Sequence, residues 1–318
     1  MPPSNVFLSA AHDQASARLP FIIALLSLMV KDWPWQLVEA PCYTTNMYLG
    51  IDIGGTKTLV AALNDHGVIQ ESKKFPTPDD YASWRDQLAD IVEDLATKQF
   101  IACAVGVPGR VDRKHGVGLD MGNLSWHNVA IQKDLQAFLN CPVAIENDAN
   151  LAGLSEAMLV KQYDRVLYVT IGTGIGTGFI VHKTIDPAFA DSEGGKMMLE
   201  RNSKIQEWED FASGEAIVRR YGKQASDITD AATWKQIARD IAVGLIDLLA
   251  VVQPEIIIIG GSIGTYYDRY KTYLQDTLGQ YDNPLVPIPP IKKASRPEEA
   301  VIYGCYDLAQ TLHGTTHP

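Results

Sequence analysis

Two glycine-rich tips, each placed between a pair of apolar strands, constrain the fold of this chain more than any other feature. In residues 49–63, an apolar strand breaks at Gly54 and Gly55 and then resumes. Residues 166–181 repeat the design, with strand, Gly/Thr tip and strand in the same order. Glycines at a hairpin tip let the backbone approach a ligand and present its N–H groups. Two such hairpins far apart in sequence predict a duplicated fold that closes over one polyphosphate.

Both tips offer groups that suit a phosphate chain. Backbone N–H groups, hydroxyl groups and a lysine ammonium bind phosphate oxygens, and a neighbouring carboxylate can organise a cation. Taken alone, the first tip also matches an ordinary hairpin with a Gly-Gly turn. Asp52 is the candidate cation ligand. The candidate phosphate ligands are Gly54, Gly55, Thr56, Lys57 and Thr58 of the first tip (residues 54–58) and Gly172, Thr173, Gly174 and Gly176 of the second tip (residues 172–178).

The second tip is not a dinucleotide-binding fingerprint. That fingerprint requires a strand followed by a helix, with glycines in the order G-x-G-x-x-G. Here Thr177 takes the place of the third glycine, and a strand follows instead of a helix. The sequence therefore argues against a Rossmann fold.

Two further strands are predicted to lie at the centres of sheets. Residues 100–109 form an apolar run that ends in Gly-Val-Pro-Gly, and residues 255–259 contain four consecutive isoleucines. Runs of this kind are typical of parallel strands covered on both faces. The turn Gly260-Gly261-Ser262 precedes a helical pattern and suits a nucleotide. A strand-to-helix turn without a ligand has the same appearance.

Residues 142–150 combine a short strand with an acid corner, defined here as Glu146, Asn147 and Asp148. A helical pattern follows over residues 151–158. Side chains at a helix start bind the free backbone N–H groups, so Asn147 and Asp148 both suit a role as helix caps. Close to phosphate-binding tips, a carboxylate in this position also suits the acceptance of a hydroxyl proton.

As a whole, residues 47–310 resemble the ROK sugar kinases of the actin/hexokinase/Hsp70 superfamily. The resemblance rests on residues 52–58, 146–150, 171–178 and 260–262, which occur in the family's order. It implies an α/β, two-lobed, actin/hexokinase-like (ribonuclease H-like) fold with a central cleft. It also implies a glucokinase-type phosphotransferase that uses ATP and Mg²⁺. The implied acceptor is a hexose 6-OH, on glucose or a related hexose or N-acetylhexosamine.

The same resemblance implies a role for individual residues. It makes Asp148 the catalytic base and Asp52 the ligand of Mg²⁺, directly or through water. It assigns the adenosine to Gly260, Gly261 and Ser262. The residues that it assigns to the sugar are Asn123, Asn147, Glu193, Lys196 and Glu209.

One region departs from the family pattern. Lys196 replaces the family's histidine, and residues 197–207 lack its Cys-x-Cys-Gly-x-x-Gly-Cys cluster. Because a tetrahedral zinc site requires thiolate or imidazole ligands at close spacing, we expect no zinc. Some zinc-free relatives resemble glucokinases that use polyphosphate, so polyphosphate is an alternative donor. A non-catalytic sugar-binding regulator is the other alternative, and the intact Asp148 argues against it.

Charge and cysteine content bear on partners and location. A formal net charge of −11 over 318 residues disfavours nucleic acid as a partner. The four cysteines show no metal or redox spacing, which is typical of reduced cytoplasmic thiols. We therefore expect a cytoplasmic protein with no nucleic acid and no membrane as partner. The family resemblance implies a homodimer that binds a small-molecule sugar and a nucleotide.

The organisation of the chain is predicted in three parts. Residues 1–46 form an N-terminal extension, disordered or arising from a mis-assigned start. Its apolar run is shorter than a membrane-spanning helix needs, so a membrane anchor is the less favoured alternative. An N-terminal lobe is expected over residues 47–154 and a C-terminal lobe over residues 155–318. The terminal helix, residues 298–312, is expected to pack back on the N-terminal lobe.

Overall fold

The computed structural model describes residues 46–296 and 299–314 of the chain. The N-terminal extension, apart from its last residue, and Glu298 at the predicted start of the terminal helix lie outside that part. Inside it, no helix is both long enough and apolar enough to cross a lipid bilayer.

Fifteen strands and nine α-helices build the described chain, with short 3-10 turns at Gly194–Lys196 and Ala225–Asp227. The strands are β1 (Met47–Ile53), β2 (Lys57–Asn64), β3 (Ile69–Pro76), β4 (Ala102–Val107), β5 (Arg110–Asp112), β6 (Val117–Asp120), β7 (His127–Val129), β8 (Val143–Asn147), β9 (Arg165–Ile171), β10 (Ile175–Val181), β11 (Thr184–Ile185), β12 (Met198–Arg201), β13 (Lys204–Glu207), β14 (Ile256–Gly260) and β15 (Ile291–Lys293). The helices are α1 (Tyr81–Glu93), α2 (Ile131–Leu139), α3 (Asp148–Leu159), α4 (Glu209–Ala212), α5 (Gly214–Tyr221), α6 (Ala231–Val252), α7 (Gly261–Gly264), α8 (Tyr267–Gly279) and α9 (Ala300–Gly314).

Two five-stranded sheets share one plan. The first has the order β3-β2-β1-β4-β8 and the second the order β11-β10-β9-β14-β15. In each, an antiparallel hairpin (β1–β2 or β9–β10) is extended by two parallel strands. The predicted hairpins, the central parallel strands and the duplication of the fold are thereby confirmed.

Alternation along β1 sends side chains to the two faces of the first sheet. Leu49, Ile51 and Ile53 are buried in the core cluster that α1 and α2 cover. Tyr48 and Asp52 point to the opposite face, where α9 packs against the sheet. That approach is close, because a Cβ on Gly50 would lie 3.3 Å from the backbone oxygen of Ile302. Asp52 is therefore a charged residue at the end of an otherwise apolar strand.

Helix α3 packs between the two sheets. Leu151 contributes to the core shared by α9 and the first sheet. Ala152 and Leu154 belong to the core cluster that includes Val166 and Ile258 of the second sheet. The predicted lobe boundary between residues 154 and 155 falls inside this helix, and it stays a prediction. The terminal helix α9 packs on the first sheet and on α3.

Candidate active site

The two tips open onto one cleft of about 870 Å³. The first sheet forms one wall, and the second tip with the starts of α5 and α7 forms the other. The predicted phosphate and adenosine residues found in the lining are Asp52, Gly54, Thr56, Lys57, Gly172, Thr173, Gly261 and Ser262.

Short backbone contacts hold together the wall formed by the second tip and the starts of α5 and α7. The backbone N–H of Gly214, at the start of α5, donates to the oxygen of Gly172 at 2.7 Å. Gly261 adopts φ +75°, and a Cβ there would lie 2.5 Å from the backbone oxygen of Ile171. Glycine is therefore needed at the turn after β14, because any side chain would separate α7 from the end of β9.

Thr58 is a correction to the predicted phosphate ligands. Its side chain is fully buried on the face away from the cleft. Its hydroxyl lies 2.9 Å from that of Thr77 and accepts a hydrogen bond from the Trp84 indole at 3.0 Å. Because the side chains of a strand alternate, Lys57 faces the cleft and Thr58 cannot. Thr58 therefore anchors the hairpin to α1.

Four of the predicted glycines do not line the cleft, and three of them serve close packing. A Cβ on Gly176 would lie 2.9 Å from the Ala149 side chain, and one on Gly260 would lie 2.1 Å from the Tyr168 hydroxyl. Gly174 lies against the Glu209 carboxylate. The fourth, Gly55, lies beside Asn123, whose Cβ is 3.9 Å from the position that a Gly55 Cβ would take.

In the acid corner, the capping role falls on Asn147. Its side-chain oxygen accepts hydrogen bonds from the backbone N–H groups of Ala149 (2.9 Å) and Asn150 (3.2 Å). Its amide donates to the Gly109 oxygen at 3.0 Å. Little of the Asn147 side chain remains for a sugar. Asp148, the first residue of α3, accepts one backbone hydrogen bond, from Ala149, and no described side chain binds its carboxylate.

Four carboxylates, Glu209, Glu193, Asp148 and Asp52, form a series in which each raises the pKa of the next, and of these Asp52 lines the cleft. Burial, together with the charge of Asp148, raises the pKa of Asp52 to about 7. Burial, with the charge of Glu193 adding to it, raises the pKa of Asp148 to about 6. Burial and the charge of Glu209 raise the pKa of Glu193 in turn. Carboxylates grouped in this way can accept hydrogen bonds from several hydroxyl groups of one ligand.

Asn123 is held at the surface by its neighbours. Leu124 and Trp126 are buried in the core, and the Trp126 indole donates to the backbone oxygen of Asp79 at 2.9 Å. The anchored turn leaves Asn123 exposed beside Gly55. The predicted sugar loop thus lies next to the first tip.

Lys196 forms ion pairs with two glutamates. Its ammonium lies 2.6 Å from Glu209 and 2.9 Å from Glu207, and these hydrogen bonds raise its pKa. The second carboxylate oxygen of Glu209 accepts from the backbone N–H of Ile175 at 3.1 Å. Lys196 therefore fixes Glu209 against the second tip. A direct contact of Lys196 with sugar stays a prediction.

Arg113 is a site residue that the sequence analysis missed. It binds Glu146 through two hydrogen bonds, of 2.7 and 2.6 Å. It also binds Asp191 and donates to the backbone oxygen of Ala190 at 2.7 Å. Glu146 in turn accepts from the backbone N–H of Asn147 at 2.7 Å. This network ties the acid corner to the segment that leads to Glu193.

The cleft lining contains further residues that no motif indicated. Lys74 of β3 joins the wall of the first sheet, and Glu215 and Tyr266 join the other wall. Lys74 lies in an exposed strand with alternating polar residues, so nothing in the local sequence distinguishes it from a solvated lysine. Glu215 follows Ser213, whose hydroxyl accepts from the Ala216 N–H to cap α5. Ser213, a residue type favoured at helix starts, is the sequence signal that could have indicated a helix start here.

The donor chemistry of Asp52 suits a hard cation. Its carboxylate lines the cleft, and no described side chain forms a hydrogen bond or an ion pair with it. Mg²⁺ is held in proteins by one or two carboxylates together with phosphate oxygens and water. Among residues 46–296 and 299–314, no three His, Cys, Asp or Glu side chains form a group that could hold a metal by themselves.

Comparison with known proteins gives a consistent match. The family model described as ROK family matches residues 48–312. A glucokinase from Streptomyces coelicolor is 25% identical over 311 residues, covering 82% of this chain and 97% of the relative. An N-acetyl-D-glucosamine kinase from Haemophilus influenzae is 27% identical, covering 83% and 100%. The crystal structure of an inorganic polyphosphate/ATP-glucomannokinase from an Arthrobacter strain is 28% identical, with a TM-score of 0.64 and coverage of 86% and 100%.

Proposed function

The chain belongs to the ROK family and has the actin/hexokinase-like fold that its sequence predicted, and on that basis we propose that it is a sugar kinase. It transfers the terminal phosphate of ATP to the 6-hydroxyl of a hexose. Glucose or a related hexose or N-acetylhexosamine is the acceptor, in line with the names of its relatives. The sugar and the nucleotide are its small-molecule partners.

One observation carries this proposal. The Asp148 carboxylate has no side-chain partner among the described residues, and its charge acts on Asp52, which lines the cleft shared by both tips. With a pKa raised to about 6, it is ionised at neutral pH and basic enough to accept a hydroxyl proton. Asn147 performs the capping that would otherwise explain the position of Asp148.

Phosphoryl transfer requires positioning and charge neutralisation more than covalent chemistry. Thr56 and Lys57 of the first tip, with Gly172 and Thr173 of the second, line the space for the phosphate chain. An apolar surface for the adenine ring is offered by Val218, Ile263 and Tyr266. Asp52 would hold Mg²⁺, which neutralises charge on the transferring phosphate when bound. Asp148 takes the proton from the attacking hydroxyl.

The acceptor sugar is bound by the acids and amides next to Asp148. Glu193 and Glu209 accept hydrogen bonds from ring hydroxyls, and Asn123 contributes from the turn beside the first tip. Asn147 offers at most one amide hydrogen, because its oxygen and its other donor are engaged. Glu209 is preoriented, since Lys196 and the Ile175 N–H each hold one of its oxygens.

A coupled assay for ADP release with a panel of hexoses tests the proposal. We expect ATP-dependent turnover with at least one hexose or N-acetylhexosamine, and ³¹P spectra of the product should identify a 6-phosphate. Sugar binding without any ADP release would instead support the non-catalytic regulator. Failure to bind any sugar or nucleotide would overturn the assignment.

Polyphosphate is a second candidate donor, and one observation favours it. The glucomannokinase from Arthrobacter, named for the use of both inorganic polyphosphate and ATP, resembles this chain over 86% of its length. Replacing ATP by polyphosphate in the same assay, with glucose 6-phosphate detected directly, decides between the donors. Product formation with ATP alone would restrict the enzyme to the nucleotide.

A further inference from the structure

Two lysines that form no ion pair within the described part of the chain line the cleft. Lys57 belongs to the first tip and Lys74 to β3. Among the described residues, neither lysine has an ion pair or a hydrogen bond to its ammonium group. Both are exposed, and the protein has a net charge of −11, so available acids are plentiful. Cations left unpaired together in a cleft are suited to an anionic ligand.

Strand pairing explains why Lys74 faces the cleft. In the first sheet, Asp52 pairs with Leu59, and Leu59 pairs with Lys74. Directly opposed residues in antiparallel strands have their side chains on the same face. The three side chains therefore form one row across the sheet, and all three line the cleft.

We propose that Lys74 is a second cationic contact for the terminal phosphate of the donor, on the same wall of the cleft as Lys57. This inference rests on the proposed function and adds a residue that determines how the transferred group is held. A lysine ammonium binds phosphate as a compact point charge. Lys57 and Lys74 would together neutralise charge on the group that moves.

The distribution of residues between the two walls favours a contact of Lys74 with the terminal phosphate of the donor over a contact with the inner phosphates. The wall of the first sheet carries Asp52, Lys57 and Lys74, whereas the opposite wall carries the apolar Val218 and Tyr266. Lys74 lies in the same row across the sheet as Asp52, the proposed ligand of Mg²⁺. Lys74 is thus on the side of the cleft where a cation on Asp52 would meet the terminal phosphate.

Lys73 provides a matched control on the same strand. It pairs with Val60, whose side chain is buried on the other face of the sheet. Its ammonium binds the Asp94 carboxylate and backbone oxygen, each at 3.0 Å. Lys73 therefore has the same charge and nearly the same position in sequence, but it lies outside the cleft.

The test compares Lys74→Met with Lys73→Met and the unchanged protein. Calorimetry without sugar should show that Lys74→Met weakens binding of a non-hydrolysable ATP analogue roughly tenfold or more. ADP affinity should change by less than about twofold, because screening weakens distant charges. In the assay, the kcat of Lys74→Met should fall, and Lys74→Arg should recover most of it. Lys73→Met should match the unchanged protein in both measurements.

Several results would overturn the inference. Equal losses of affinity for ADP and for the ATP analogue would show that Lys74 contacts the inner phosphates. No loss of affinity for either would show that Lys74 does not contact the donor. Should Lys74→Met fail to fold, Lys74→Gln gives the same comparison with a polar side chain. Absence of sugar phosphorylation by the unchanged protein would defeat the proposed function, whereas normal turnover with an unaffected Lys74→Met would defeat only this inference.

Discussion

The carboxylate of Asp148 lies close enough to that of Asp52 for its negative charge to raise the pKa of Asp52, which burial and this charge together bring to about 7. The two residues come from different elements, the end of β1 and the start of α3, and the two acids repel each other when no ligand is bound. A cation at Asp52 would remove this repulsion and leave Asp148 free to accept a proton. In the proposed mechanism the two acids therefore have different roles.

The first prediction concerns pH. Because Asp148 must be ionised to accept a proton and its pKa is raised to about 6, kcat/KM should rise with pH through about 6 and then level off. The direction follows from the chemistry, since protonation at lower pH removes the base. Initial rates from about pH 5 to about pH 8 at saturating Mg²⁺ measure it. A profile that is flat across this range would contradict Asp148 as the base.

The second prediction is that Asp148→Asn removes turnover and spares folding. The new side chain is nearly isosteric but accepts no proton, so kcat should fall on the order of a hundred- to ten-thousand-fold. Asn147 keeps α3 capped, so the fold does not depend on Asp148. A raised pKa means that the folded state favours the protonated acid, and the stability gained at low pH is lost as pH rises through about 6. Asp148→Asn should therefore melt higher than the unchanged protein at alkaline pH.

Asp230→Asn is the control for this change. Asp230 caps α6 through the Thr233 N–H, and asparagine caps equally well. The kcat of Asp230→Asn should equal that of the unchanged protein. Near-normal kcat in Asp148→Asn would reject the assignment, and weakened sugar binding would indicate that Asp148 acts chiefly as a ligand.

The local sequence predicted the elements of this site better than the contacts of its side chains. The two tips, the central strands and the start of α3 follow from glycine placement and apolar periodicity, which are local signals. The division of labour between Asn147 and Asp148 depends on where each side chain points after the strand ends. Its hydroxyl and its place in the first tip make Thr58 a candidate phosphate ligand in the sequence, but strand alternation sends the side chain into the core. The register of β2 with β3, which brings Lys74 to the cleft, is a tertiary fact.

The third prediction concerns Arg113, which joins the acid corner to Asp191 and Ala190. Arg113→Met would leave Glu146, which is 5% exposed, as a buried charge without its partner. Losing one member of such a pair costs about 3 kcal/mol, so the urea midpoint should fall clearly. The kcat should fall as well, because Glu146 supports the backbone of Asn147 next to the base.

Arg85→Met is the matched control for Arg113. Arg85 forms an exposed ion pair with Asp86, and loss of an exposed pair changes stability by less than about 1 kcal/mol. Both stability and kcat should be unchanged in that variant. If Arg113→Met behaved like Arg85→Met, the network would have no part in holding the acid corner.

The fourth prediction separates a positioning role for Lys196 from a stabilising one. Lys196→Met should raise the KM for sugar several-fold, since Glu209 loses the ammonium that orients one of its oxygens. The KM for ATP should stay the same. The unfolding free energy should change by less than about 1 kcal/mol, because the Lys196 side chain is 54% exposed. Lys271→Met, which breaks an exposed pair with Asp268, is the control. A rise in the KM for ATP alone would contradict this role.

The last prediction concerns metals. Activity should require Mg²⁺, because a cation at Asp52 neutralises and orients the transferring phosphate. Treatment with EDTA should abolish turnover and added Mg²⁺ should restore it, while Asp52→Asn should need more Mg²⁺ for half-maximal rate. Stoichiometric zinc should be absent, because residues 197–207 contain no cysteine and the Lys196 ammonium lies between Glu207 and Glu209, where it would repel a cation. Elemental analysis of the purified protein checks this directly, and one tightly held zinc per chain would show that another set of ligands binds it. Full activity after EDTA, without added metal, would remove the cation from the proposed role of Asp52.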